Sequence, residues 1–213
     1  MRNDGRKVDE IRPVTIETGW KKQADGSALY RAGGTVVLCV ASVDEGVKDF
    51  LRGKSQGWVT AEYVMHPRAG TRRQTRDGFN GRSLSGRSHE IARLVGRSLR
   101  AAVDMKSLGE RTITVDCDVL EADGGTRTAS VTGGMVALAL ALDGMRRKGQ
   151  ITTNPLVSLV AAGCGPQVSL GSTSVVTAVS SLVETVLLKA STTEFTVTET
   201  VAVSVLPAAV VTV

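Results

Sequence analysis

TITVDCDVLEADGGTRTASVTGGMVALALALDGM, Thr112 to Met145, joins a strand-like run to a helix-like run through two glycines and Thr-Arg-Thr. Alternation along the first run puts Ile113, Val115, Cys117 and Val119 on one face and Thr114, Asp116 and Asp118 on the other. Gly124 and Gly125 let the backbone turn sharply and approach a ligand without a Cβ in the way. Thr126 and Arg127 follow where the helix begins, so unpaired backbone N–H groups, a hydroxyl and a guanidinium can converge on one point. That combination describes an anion site at a helix N-terminus, with the arginine offering bidentate contacts to phosphate. Spacing alone leaves a second reading open, since two glycines before a helix also make an ordinary tight turn. Asp116 and Asp118 divide in the same way, between metal ligands and a polar strand face paired with neighbouring arginines.

Working outward, the order of elements is mixed. VTIETGW and GTVVLCVASV read as strands, with turn residues ADGS between them, and GWVTAEYVM reads as another. SHEIARLVGRSLRAAVDM has amphipathic helical spacing with Ser88 as N-cap, and Ile91, Leu94, Val95, Leu99 and Ala102 form its apolar side. TASVTGGMVALALALDGMRRKG is a second helix, closed by basic residues and Gly149. At 213 residues and 42% hydrophobic content, the chain fits one globular unit or two small ones. Aromatic residues are only 3%, so Val, Leu, Ile and Ala must build the core. The three cysteines, Cys39, Cys117 and Cys164, are widely spaced and read as buried free thiols rather than a disulfide framework or zinc site. The N-terminus shows no basic-then-apolar leader, and no uninterrupted apolar run approaches about twenty residues, so a cytoplasmic protein without membrane insertion is expected.

Charge is concentrated. Between His66 and Arg100 stand nine arginines, Arg68, Arg72, Arg73, Arg76, Arg82, Arg87, Arg93, Arg97 and Arg100, against Asp77 and Glu90. Arg93, Arg97 and Arg100 suit a solvated helix face. HPRAGTRRQTRDGFNGR has no periodicity and reads as a loop whose arginines meet a polyphosphate backbone, the alternative being a merely solvated loop. His66 and His89 lack partners at triad or metal-ligand spacing, Trp58 reads as packing, and no phosphate-binding G-x-x-x-x-G-K-[ST] motif is present.

NDGRKVDEIRPVTIETG, ADGSALYRAGGTVVLCVASV, GWVTAEYVMHPRA, GRSHEIARLVGRSLRAAVD, LGERTITVDCDVLEADGGTRTASVTG and NPLVSLVAAG, in this order over residues 1–163, resemble the ribonuclease PH family of phosphorolytic 3′ exoribonucleases that trim tRNA precursors. The resemblance implies the α+β, ribosomal protein S5 domain 2-like fold of that family. It implies a homo-hexameric ring, a trimer of dimers, acting on tRNA precursors and other RNA 3′ ends. By motif, Arg87, Gly125, Thr126 and Arg127 would bind the inorganic phosphate co-substrate, and Arg68, Arg72, Arg73 and Arg76 would contact RNA. Phosphate would attack the last phosphodiester and release a nucleoside diphosphate, with Mg2+ expected to offset charge on the scissile group.

Residues 164–213 depart from the pattern. The family continues here with an acidic motif of the form LDLxYxEDSxAxxDxN, which supplies catalytic and metal-binding carboxylates. In its place stand fifty residues with no Asp, no Arg, one Lys and the three glutamates Glu184, Glu194 and Glu199; Val, Thr and Ser make up 29 of them. The catalytic and metal ligands are therefore not assigned. A reading-frame shift near codon 164, a divergent β-prone domain and a disordered or aggregation-prone end all fit this composition. The first functional reading is a phosphate-dependent exoribonuclease and tRNA nucleotidyltransferase. The alternative is a catalytically inactive RNA-binding ring subunit, favoured by the missing acidic motif as the retained Gly125-Thr126-Arg127 favours the enzyme.

Overall fold

The computed structural model of the chain describes residues 5–6, 12–78, 83–163 and 174–178. Its strands are β1 (Val14–Thr18), β2 (Gly26–Ala32), β3 (Thr35–Glu45), β4 (Trp58–Met65) and β5 (Arg111–Glu121), forming one sheet in the order β1-β2-β3-β5-β4. The helices are α1 (Gly86–Ala101), α2 (Met105–Leu108) and α3 (Thr126–Arg147), and β6 (Leu159–Gly163) pairs antiparallel with β7 (Ser174–Ala178). Every neighbouring pair in the large sheet is antiparallel except β4 with β5. A parallel pair cannot be closed by a tight turn, so the chain crosses over through α1 between the two strands.

The expected alternation in β5 holds. Ile113, Val115, Cys117 and Val119 are buried in one core with Ile91, Val95 and Leu99 of α1 and Ala137, Leu138, Ala141 and Leu142 of α3. The opposite face of the sheet carries Asp116 and Asp118 and a smaller cluster of Leu29, Val36 and Leu38. α3 is long and apolar enough by composition to cross a membrane, but its apolar window is 67% buried inside the protein. It is a core helix, covered by the sheet on one side and by β6 on another, which explains an apolar character that runs around most of its circumference. Cys39 and Cys117 face each other across β3 and β5 as buried free thiols, with Sγ atoms 3.8 Å apart. Their hydrogen bond and their burial push the Cys39 thiol well above its ordinary value. Cys164 lies outside the described residues, as do Arg82 and, apart from Ser174–Ala178, the whole of 164–213 with Glu184, Glu194 and Glu199.

Four details differ from the sequence expectation. β2 takes in Gly26 and Ser27 of the ADGS read as a turn and runs to Ala32, a strand whose alanines and single Arg31 weaken its pattern but whose pairing on both sides buries it. α2 is a single turn between α1 and β5 that periodicity cannot register. α1 begins at Gly86 with Ser85, not Ser88, as N-cap: the Ser85 hydroxyl accepts from the Ser88 N–H, and Ser88 instead donates its hydroxyl to Asp77. Arg100 leaves the solvated face that Arg93 and Arg97 occupy. Its guanidinium lies 4.5 Å from the Trp58 ring centroid and donates to the Val59 carbonyl at 2.8 Å, while Phe50 meets Trp58 edge-on at 5.5 Å. Trp58 is a packing residue, as expected.

Close approach of α3 to the sheet depends on glycine. A Cβ at Gly26 would press on the Ala137 carbonyl oxygen and lie 2.7 Å from the Ala141 nitrogen, both backbone atoms that cannot turn aside. Gly26→Ala is expected to destabilise the fold by about 1–3 kcal/mol or more, read as a lower midpoint in denaturant unfolding. The α1 cap gives a pH-dependent counterpart. Asp77 accepts from the Ser88 and Ser85 hydroxyls and the Ser85 N–H, and these bonds hold its carboxyl below its ordinary value of 3.8. A depressed carboxylate stabilises the fold above its unfolded value and loses that contribution as pH falls through the folded one. Asp77→Ala is therefore expected to cost about 1 kcal/mol at neutral pH, with wild type and variant converging in acid melts below the ordinary value.

Candidate functional site

The parallel pairing of β4 and β5 sends both strands out of the same end of the sheet, and both are followed by helices whose N-termini lie at that end. Helix N-termini carry partial positive charge and unpaired N–H groups. Neither α1 nor α3 has an acidic residue in its first turn; Arg87 and Arg127 stand there instead. A basic residue at that position opposes the helix dipole, a local cost that marks a site built for an anion. Gly125 caps α3 in the left-handed region at φ 75° with no side-chain bond to the helix, and Gly124 has φ 82°. The turn needs glycine at both positions.

The turn is held from below. Thr35 donates its hydroxyl to the Gly124 carbonyl at 2.6 Å and accepts from the Asp123 N–H at 3.0 Å, and Arg12 pairs with Asp123 at 3.1 Å. Thr126 is 6% exposed, and its Oγ1 lies 2.9 Å from the hydroxyl of the buried Tyr63. Burial raises Tyr63 above its ordinary value of 10.0, while its bond to Thr126 and the charges of Arg87 and Arg127 pull it the other way, so the phenol is protonated at neutral pH. Arg127 donates Nη2 to Glu90 Oε2 at 2.7 Å, and its Nε is buried without a hydrogen-bond partner. A guanidinium held by one edge with a buried N–H left open has the geometry to receive an oxyanion.

Over its described residues, 66–78, the arginine-rich segment is a loop, as expected, and it is pinned beside this turn. His66 donates its N–H to Val119, Gln74 to Pro67 and Ala122 to Ala69, so the loop runs along the end of β5. Arg68 donates Nη1 to the Thr71 carbonyl at 2.9 Å; Arg72, Arg73 and Arg76 are exposed. The structure thus brings Arg87, Gly125, Thr126 and Arg127 to one end of the sheet with Arg68, Arg72, Arg73 and Arg76 on the neighbouring loop. Sequence reasoning missed Thr35, Glu90 and Tyr63. Only Tyr63 left a signal, in the alternation Val59, Ala61, Tyr63 that faces it into the core.

Asp116 and Asp118 lie on the other face of the sheet, where they share a cleft with Glu62 and Lys21. Burial raises Asp116, with Glu62 and Asp118 adding to it; burial also raises Asp118, against the pull of Arg76. Among the described residues no group of three His, Cys, Asp or Glu side chains gathers to hold a metal ion, so the donor set does not fit magnesium there. Thr35→Val, isosteric and buried, removes both bonds that hold the Gly124 turn. It is expected to cost about 1–3 kcal/mol in thermal or denaturant unfolding and to loosen residues 123–126 in amide hydrogen exchange.

Residues 10–142 match the model of the 3′ exoribonuclease family, domain 1. The chain is 55% identical over 166 residues to the ribonuclease PH of Roseobacter denitrificans, which covers 78% of this chain and 70% of that protein. Among solved structures it is similar to an Archaeoglobus fulgidus exosome with RNA bound to the active site, at TM-score 0.62 and 26% identity, covering 76% of this chain and 65% of that one. It is also similar to an archaeal exosome core, at TM-score 0.57 and 25% identity, covering 76% and 62%. The chain thus spans less than two thirds of these two solved chains. With the family model over most of its described core and a close relative over more than two thirds of that relative's length, the chain belongs to the 3′ exoribonuclease family as a ribonuclease PH homologue.

Proposed function

We propose that this chain is a phosphorolytic 3′ to 5′ exoribonuclease and tRNA nucleotidyltransferase, with residues 1–163 as its phosphorolytic domain and 164–213 as a divergent segment. The observation that carries the reading is the pair of helix N-termini bearing Arg87 and Arg127 instead of acids, with the buried Nε of Arg127 unpartnered. Inorganic phosphate is the co-substrate. Arg87, Arg127, the Thr126 hydroxyl and the N–H groups following Gly125 bind and orient it. One oxygen of hydrogen phosphate attacks the phosphorus of the last phosphodiester, the bond from that phosphorus to the preceding 3′ oxygen breaks, and the proton carried in on the hydrogen phosphate ends on that 3′ oxygen. The products are a nucleoside diphosphate and an RNA shorter by one nucleotide. The protein's contribution is alignment and neutralisation of charge between two anions.

Arg68, Arg72, Arg73 and Arg76 hold the RNA backbone on approach, a role supported by their exposure beside the phosphate turn. Contacts of this type position a strand without reading its sequence. The substrates are tRNA precursors and other RNA 3′ ends, the assembly is a ring of six copies, and the compartment is the cytoplasm. The similarity to exosome chains, one solved with RNA bound to its active site, supports RNA as substrate and the ring. Magnesium belongs to the same reading, although the described carboxylates do not gather to hold it. That same observation favours the second reading, a ring subunit that binds RNA without cutting it.

Release of nucleoside diphosphates from a tRNA with a short 3′ extension separates the two. Phosphate-dependent release by the purified chain is the expected result; RNA binding without release at any phosphate concentration establishes the second reading. Arg127→Ala is expected to abolish the phosphate dependence, by about 100-fold or more in rate, while RNA binding measured by filter retention changes little. Equal loss of both would remove the dedicated phosphate role.

A further inference from the structure

Tyr63 occupies an unusual position for a core aromatic residue. It is 1% exposed on the helix-covered face of β4, yet its polar end reaches the mouth of α3, 2.9 Å from Thr126 Oγ1. A buried phenol needs a hydrogen-bond partner, and Thr126 is the one the described residues give it. Since the hydroxyl is protonated at neutral pH, it has one proton to donate. A threonine hydroxyl can accept one bond and donate another, but in a helix its χ1 divides between two rotamers. At the first residue of α3 that choice decides whether the hydroxyl proton faces the turn or is lost to local backbone.

We propose that Tyr63 is a positioning residue of the anion site: its hydroxyl donates to Thr126 Oγ1, selects the threonine rotamer and leaves the Thr126 proton free to donate to a bound phosphate oxygen. This rests on the reading of Arg87, Gly125, Thr126 and Arg127 as a phosphate site. Tyr63 itself does not touch the anion. Its hydroxyl, carried on β4 and set against Thr126 at the first turn of α3, makes the sheet, rather than solvent, set the geometry of the threonine.

The test is calorimetric titration of the full chain with inorganic phosphate. Tyr63→Phe keeps the ring and removes the hydroxyl; it is expected to weaken phosphate binding about 3- to 10-fold, the scale of one net hydrogen bond. In a Thr126→Val background the same substitution is expected to change nothing further, because the group it positions is gone. An unchanged affinity for Tyr63→Phe, or an equal loss in both backgrounds, overturns the inference while leaving the phosphate site standing. Absence of phosphate binding by the wild type overturns the site and the inference together. A second readout needs no substitution at Tyr63. The chain contains two tyrosines, Tyr30 and Tyr63, so fluorotyrosine-labelled protein gives two fluorine signals, assigned with Tyr30→Phe. Phosphate is expected to move the Tyr63 signal and not that of Tyr30, and a Tyr63 signal indifferent to saturating phosphate would sink the proposal.

Discussion

The parallel pairing of β4 with β5 is the constraint on which the site depends. Antiparallel neighbours deliver successive helices to opposite ends of a sheet. One parallel pair inside an otherwise antiparallel sheet delivers α1 and α3 with their N-termini at the same end. Two partial positive charges then lie close together, a strained arrangement in an empty site and a favourable one around an anion. The register of the pair, Glu62 opposite Asp116 and Tyr63 opposite Cys117, also brings the Tyr63 hydroxyl under the first turn of α3.

The charges are distributed in keeping with this geometry. The surface of the site has arginines where helix stability alone would prefer Asp or Glu. Stability is recovered one layer away, through the Asp77 bonds that hold the Ser85 cap of α1 and the Thr35 clamp on the Gly124 turn. The Arg127 bridge to Glu90 is half exposed and contributes little as a stabilising ion pair. Its consequence is orientation: it holds one edge of the guanidinium and leaves the buried Nε open. Asp116 and Asp118 of β5, by contrast, sit on the far face of the sheet, where alternation in the strand separates them from the helix mouths and the Gly124-Gly125 turn.

Much of this was legible in the chain because it is local. The period-two alternation of Ile113 to Val119, the helical spacing around Ile91 to Leu99 and the Gly-Gly-Thr-Arg junction each occupy a short window, and each formed where expected. Arg100 failed as a surface residue because its partner, Trp58, is distant in sequence; the stripe of arginines on α1 gives no hint that the last one will fold over an aromatic ring. β2 was overlooked because its burial comes from neighbours on both sides rather than from its own composition. The Ser85 cap was missed because its rationale is Asp77, eight residues upstream in a loop without periodicity.

By itself, the sequence determined the strands of the large sheet other than β2, the two long helices, the two faces of β5 and the tight Gly124-Gly125 turn, because those follow from side-chain periodicity and from the freedom of glycine over a few residues. The tertiary structure alone decided that Arg87 and Arg127 stand at the same end of one sheet, that the arginine loop is pinned beside them, and that Tyr63, Glu90 and Thr35 hold the turn. Those facts depend on pairings between residues 37 to 89 positions apart, and the order and direction of strands that create such pairings leave no trace within any single segment of the chain.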